Sequence, residues 1–173
     1  YALGLSIQMY GFILLEKSDE ITNEYIVSSM EKPDLLGDDF TEDYFISRFN
    51  EEKDSKLSVK AFLATEQRFP GIGNGVLQDI LFNAQMHPAM KLRDFNDEEP
   101  YNLYNSIRIT LGEMTRMGGR DTEKDLYGNK GGYVSIMSKN SVGAECPSCG
   151  GIIEKKSYMG GSVYFCPDCQ RKG

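Results

Sequence analysis

The sequence predicts a mainly helical protein with a small β component, a helical domain followed by a compact four-cysteine hairpin. Three observations carry this prediction. Apolar residues recur at helical spacing from Thr41 to Met117. All four cysteines fall in the last 28 residues, as two Cys-x-x-Cys pairs. Only the beginning of the chain, Leu3 to Leu15, alternates with the period of two that a half-buried strand shows.

The chain has 173 residues, 40% of them apolar and 26% charged, which is a globular composition and excludes wholesale disorder. The net charge of −7 excludes a uniformly basic nucleic-acid coat and leaves room for a local basic face. Nothing in it resembles an eighteen-residue apolar span. The stretch Gly11 to Leu15 is too short for the core of a signal peptide. The first residue is Tyr1 and the text opens inside a strand-like pattern, so the chain is expected to be a piece of a longer protein.

Each element follows in order. Leu3, Leu5, Ile7, Met9, Ile13 and Leu15 form the opening strand, and Tyr25 to Ser28 is expected to return as a second. Two strands alone are marginal in water and need partners. Glu31 to Asp43 is an acidic connector. Between Glu16 and Ser55 there are 13 acidic and 4 basic residues, so the overall acidity resides there. Thr41 starts a helix with Glu42 and Asp43 in its first turn, where the dipole favours them. A second helix is predicted over Leu57 to Gln67, with Val59, Phe62 and Leu63 on its apolar face. A third spans Gly75 to Ala84, capped by Asn74. A fourth spans Glu99 to Met117, stopped by Gly118-Gly119. Arg120 to Gly132 is a glycine-rich charged loop. The units are drawn at 1–30, 31–56, 57–138 and 139–173.

Cys146-Pro147-Ser148-Cys149 and Cys166-Pro167-Asp168-Cys169 are separated by sixteen residues. Two such knuckles on a hairpin close a tetrahedral cage of four thiolates, the set that structural Zn²⁺ accepts. Two disulfides and a redox pair are the competing readings; the duplication and the lack of a thioredoxin-like surround speak against the latter. One structural Zn²⁺ is therefore expected on Cys146, Cys149, Cys166 and Cys169. A module this small has little core, so the metal should supply much of its folding energy. Gly160-Gly161 is the expected hairpin turn, and the ribbon core is expected to be separate from the helical one. Lys155 and Lys156 lie near the middle of the first ribbon strand, as solvated surface lysines or as phosphate contacts.

Between two amphipathic helices lies Pro70-Gly71-Ile72-Gly73-Asn74. Glycines there permit close approach of another backbone, and free N–H groups at a helix start bind phosphate. The bland alternative is a tight turn with no ligand. Gly71-Ile72-Gly73-Asn74, followed by Asp79 and by Met86-His87-Pro88, resembles the helix–two-turn–helix of the formamidopyrimidine-DNA glycosylase and endonuclease VIII family. Leu36 to Thr41 resembles the family's inter-domain linker, and Gly131-Gly132-Tyr133 and the cysteine module follow in the family's order. The resemblance covers residues 7 to 173.

The resemblance implies a base-excision-repair enzyme, a DNA glycosylase with AP-lyase activity that removes oxidised bases and nicks the strand. Its nucleophile, an N-terminal proline amine, would belong to an upstream β-sandwich, of which residues 1–30 would be the last strands. The chain as given would then hold no catalytic residue and be inactive alone. It implies as partners damaged double-stranded DNA and the missing N-terminal domain, with a monomeric full-length protein in the bacterial cytoplasm, at the nucleoid. Asn74 corresponds to the family's phosphate-gripping Asn. DNA contacts are expected from Gly71, Gly73, Asn74, Lys155, Lys156, Gly160 and Gly161. The family places an Arg five positions before the third cysteine, where this chain has Gly161. His87, the only histidine, is read as a helix-end residue rather than an acid–base group. The competing classes are a non-enzymatic nucleic-acid-binding protein with the same helix pair, usually strongly basic, and a zinc-ribbon interaction module.

Overall fold

The structure, a computed structural model, describes residue 17 and residues 20–173. The strand expected over Leu3 to Leu15 lies outside the described residues. The described elements are α1 (Glu24–Met30), α2 (Glu42–Glu52), α3 (Val59–Ala64), α4 (Asn74–Asn83), α5 (Glu99–Arg116), β1 (Glu154–Tyr158) and β2 (Gly161–Phe165), with a 3-10 turn at Leu92–Asp94. Among the described residues the regular structure is mostly helical, with one small two-stranded sheet.

Tyr25 to Ser28 is helical, which corrects the expected second strand. Asn23 explains it. Its side-chain oxygen accepts the N–H of Ile26 at 3.3 Å and its carbonyl that of Val27 at 3.0 Å, the pattern of a helix cap. Helix α2 starts where the sequence places it, with Thr41 Oγ1 accepting from Tyr44 N at 3.1 Å. Helix α3 is shorter than Leu57 to Gln67. Ser58 caps it, and Glu66 and Gln67 take left-handed backbone angles beyond its end. Helix α5 ends at Arg116, and Gly118 and Gly119 adopt positive φ as the sequence anticipates.

The helical core is aromatic. Phe40, Phe45, Phe49, Phe62 and Phe69 are buried and meet largely edge-on, Phe62 and Phe69 at 5.1 Å between centroids. Each such side chain contributes about 1.5–3 kcal/mol on burial. Helix α5 packs on α4 and α2. Its Arg108 guanidinium donates to the carbonyls of Leu35 and Gly37 at 3.0 and 2.8 Å, and its Tyr104 hydroxyl to that of Phe40 at 3.0 Å. These bonds tie the connector before α2 to the helical core.

The hairpin pairs Glu154 with Phe165 and Tyr158 with Gly161, antiparallel. Its turn is Met159-Gly160, both at positive φ, a two-residue loop matched to strand twist. Gly161 is therefore the first strand residue rather than part of the turn. The ribbon core of Met137, Cys146, Ile153 and Cys166 also contains Phe82 from α4. The two cores thus share a helix, a correction to the expectation that they are separate.

Candidate nucleic-acid interface

The start of α4 and the tip of the ribbon hairpin are brought together. Asn74 is the first residue of α4, not its cap. The cap is Gly73, which has no side chain to bond the first N–H groups. The Asn74 side chain instead donates through Nδ2 to the carbonyl of Ser162 at 3.2 Å. One turn on, Gln78 donates to the same carbonyl at 3.3 Å and accepts from Tyr164 N at 3.1 Å. Gln78 thereby fastens β2 along α4.

From the other side, Lys60 Nζ donates to the carbonyl of Tyr158 at 2.8 Å, and Ser58 Oγ meets Met159 Sδ at 3.6 Å. The space a side chain at Gly161 would enter is bordered by Lys60 Nζ and Asn74 Oδ1, both 3.6 Å from an ideal Cβ. The sequence pattern does not single out Lys60, since it leaves this residue off the apolar face of its helix. The signal is nonetheless present: Lys60 is the only polar residue in Val59–Ala64, whose other members are all apolar.

Asn74, Gly161 and Ser162 thus meet, whereas the side-chain position of Gly160 faces open space. Gly73 stands beside them in ordinary extended backbone, with open space around its α-carbon. Gly71 is at φ +100°, so a glycine is required there, and it lines a separate cavity with Val76, Met114 and Arg120. Lys155 and Lys156 sit mid-strand, opposite Tyr164 and Val163. Lys156 Nζ lies 3.1 Å from Glu154 and 5.0 Å from the centre of the Phe165 ring.

His87 lies three residues beyond the C-cap of α4, Ala84, rather than at the helix end itself. Its Nδ1 accepts the N–H of Ala89 at 3.0 Å and its ring stands 4.3 Å from Phe165. Burial holds its pKa below the ordinary histidine value, with Lys172 and Lys156 acting in the same direction.

Cys146, Cys149, Cys166 and Cys169 place their Sγ atoms all within 4.8 Å of one another. The pairs Cys146–Cys169 and Cys149–Cys166 are 3.7 and 3.4 Å apart. Disulfide bonding would need about 2.05 Å. A tetrahedral ion with bonds of about 2.3 Å separates its sulfurs by about 3.8 Å, which these distances fit. Burial pushes the Cys146 thiol up, but the backbone N–H groups of Ser148 and Cys149 outweigh it and bring its pKa to about 7. A partly ionised thiol is what a metal ion needs.

No family model matches the chain. A formamidopyrimidine-DNA glycosylase of Thermus thermophilus is 30% identical to it over 146 residues, 82% of this chain and 54% of that protein. That of Haemophilus ducreyi is 31% identical over 142 residues, 80% of this chain and 50% of that protein. Among solved structures, the MutM (Fpg) protein of Thermus thermophilus superposes with a TM-score of 0.75 at 28% identity, covering 87% of this chain and 57% of the other. The Lactococcus lactis Fpg bound to abasic-site DNA shares the fold, with a TM-score of 0.74 at 24% identity over 86% of this chain and 54% of that one. The chain spans about half the length of the curated relatives it matches.

Proposed function

We propose, for a chain that belongs to the formamidopyrimidine-DNA glycosylase family and corresponds to its C-terminal half, that it is the DNA-holding part of a base-excision-repair glycosylase. The observation that carries this is the meeting of Asn74, at an uncapped helix start, with the ribbon residues Gly161 and Ser162. Uncapped N–H groups and an amide on one rigid surface suit a phosphodiester, and such contacts position a duplex without reading its bases. The parent enzyme would remove oxidised bases and nick the strand by AP-lyase chemistry. The nucleophile would come from the other half of the enzyme, so this chain would hold damaged duplex DNA and leave bond breaking to its missing partner domain.

One Zn²⁺ on Cys146, Cys149, Cys166 and Cys169 would hold the ribbon so that its tip reaches α4. The relatives are bacterial proteins, and we place the parent enzyme, as a monomer, with the DNA of a bacterial cytoplasm. Among the described residues no helix is long and apolar enough to cross a membrane. The division into units at 31–56, 57–138 and 139–173 serves this reading as linker, DNA-holding helices and ribbon.

The test is fluorescence anisotropy of the zinc-loaded 173-residue chain with a duplex carrying an abasic-site analogue. Binding that weakens steeply between about 50 and 200 mM salt is expected, together with no covalent adduct on borohydride trapping. A folded, zinc-loaded chain that leaves the duplex free at low salt would sink the reading.

A further inference from the structure

Asn74 and Gly75 form the only Asn-Gly pair in the chain. In such a pair the glycine nitrogen can attack the side-chain carbonyl carbon of the asparagine, because no β-carbon shields that nitrogen and the glycine backbone turns freely. The start of α4 leaves this nitrogen available. The Gly75 N–H lies ahead of the first intrahelical bond, from Leu77 N to the Gly73 carbonyl at 3.1 Å, and Gly73 offers no side-chain cap. Asn74 is exposed, so water reaches the pair. The positive end of the helix dipole favours the negative charge that develops in the attack. A glycine is required at 75 for a separate reason, since a β-carbon there would collide with the Arg120 guanidinium.

Asn74 is held at both ends. Its Nδ2 donates to the Ser162 carbonyl at 3.2 Å. Gln78 Nε2 donates to the main-chain carbonyl of Asn74 at 2.9 Å and to that of Ser162 at 3.3 Å. Gln78 is 1% exposed, so these bonds are shielded from water. Ring closure needs Gly75 N to swing toward Asn74 Cγ by rotation about the Asn74 Cα–C bond. That rotation carries the Asn74 carbonyl away from Gln78, and the side chain must leave Ser162.

We propose that Asn74-Gly75 is a site of spontaneous deamidation, held closed in the folded protein by the bonds of Asn74 to Gln78 and Ser162. Gly75 N gives up its proton and attacks Asn74 Cγ. The N–Cγ bond forms, the Cγ–Nδ2 bond breaks, and Nδ2 leaves as ammonia with that proton. Water then opens the cyclic imide at either carbonyl, giving aspartate or isoaspartate. The net change is water in and ammonia out, with no oxidant or reductant. It replaces the Asn74 donor by a carboxylate. The consequence for DNA rests on reading the chain as a DNA-holding half; the modification itself does not.

The zinc-loaded chain is incubated at neutral pH, and the tryptic peptide Phe69–Lys91 is sequenced by mass spectrometry, which tells Asn74 from Asn83. Folded wild type is expected to convert at Asn74 much more slowly than the same chain in urea. Gln78→Met fills the same space without the donor and is expected to convert about tenfold faster than wild type, the scale of losing one or two hydrogen bonds. Protection of the Leu81 amide against hydrogen exchange checks that α4 is intact in it. Gly75→Ala in an Arg120→Ala background, where the methyl has room, is expected to lose the conversion. Equal rates for wild type folded and in urea would overturn the lock without any variant, and so would a wild-type rate in Gln78→Met with Leu81 protected. Conversion that fails at Asn74 in urea would overturn the site. The converted protein, separated by its added negative charge, is expected to bind duplex more weakly than fresh protein. Equal affinity would leave the modification standing and overturn the reading of Asn74 as a phosphate contact.

Discussion

The carboxylate of Asp79, in the middle of α4, accepts the backbone N–H of Met137 at 2.6 Å. It also accepts that of Ile136 at 3.1 Å. One fully buried side chain thus fastens the segment leading into the ribbon onto the helix that starts the candidate interface. Asp79→Ala would leave buried donors without partners and is expected to cost about 3 kcal/mol. Thermal unfolding of the zinc-loaded protein measures this, and an unchanged melting temperature would refute the tether.

The same residue makes a pH prediction. Burial raises the Asp79 pKa above the ordinary aspartate value, against the opposing hydrogen bonds from Met137 and Ile136. With a folded pKa above the unfolded one, its stabilising contribution is full below the unfolded pKa and is lost as pH rises through the folded value. Asp79→Asn cannot titrate. The margin by which wild type exceeds Asp79→Asn should therefore be largest in acid and shrink as pH rises through that window. A margin that grows with pH would contradict the direction.

Arg120 occupies the space where a side chain at Gly75 would stand, and its guanidinium, on a residue 7% exposed, pairs with Glu123 at 2.9 Å. Gly75→Ala should displace Arg120 and loosen the loop after α5, at about 1–3 kcal/mol, the range of overpacked sites. In an Arg120→Ala background the same substitution should cost less. Equal costs in both backgrounds, from a double-mutant cycle, would show that the two residues are not coupled.

Much of this is legible in the sequence, for physical reasons. The cysteine cage follows from spacing, since each Cys-x-x-Cys turn places two sulfurs together whatever surrounds it. Helices α2, α4 and α5 follow from strong apolar periodicity and recognisable caps such as Thr41. Helix α1 escapes that reading because Ile26 and Val27 favour strands, and their preference outweighs the capping signal of Asn23 followed by Glu24. Lys60 escapes it because pattern reading assigns a charge to the solvent side. Both faces of α3 are in fact covered, one by the helical core and the other by the hairpin tip. That second cover comes from residues far along the chain, Tyr158 being 98 positions from Lys60, beyond the reach of local pattern.

Metal removal should reach past the ribbon. Gln170 Nε2 donates to the carbonyl of Met86 at 2.8 Å. Across the same seam the His87 N–H donates to the carbonyl of Arg171, and the Arg171 N–H to that of Gln85. Cys166→Ser, or a chelator, is expected to unfold the ribbon and also expose the amide of His87 to hydrogen exchange. Acid should do the same, because protons compete with the metal for thiolates, Cys146 included with its pKa of about 7. Unchanged protection of that amide after metal loss would mean the helical domain ends cleanly at α4.

Asn74 separates helix stability from phosphate binding. It is the first residue of α4, where a negative charge interacts favourably with the helix dipole, by about 0.3–1 kcal/mol. Its Nδ2 donates to Ser162, so its amide also holds the hairpin tip in place. Asn74→Asp keeps the size, removes the donor and puts a carboxylate beside the carbonyl of Ser162 and the position a phosphate would take. Helix and anion site then respond oppositely. The α4 amides should be protected as well as or better than in wild type, while duplex binding falls about tenfold or more at about 50 mM salt, through repulsion of one phosphate at close range. Asn74→Ala should give an intermediate loss, since it removes the donor without adding charge, and the loss should be alike for duplexes of different sequence. The ordering wild type, Ala, Asp in affinity, with Asp not the least stable, is the signature of an anion held at this helix start. If Asp binds as well as Ala, the phosphate does not approach Asn74 and the grip lies elsewhere on the hairpin.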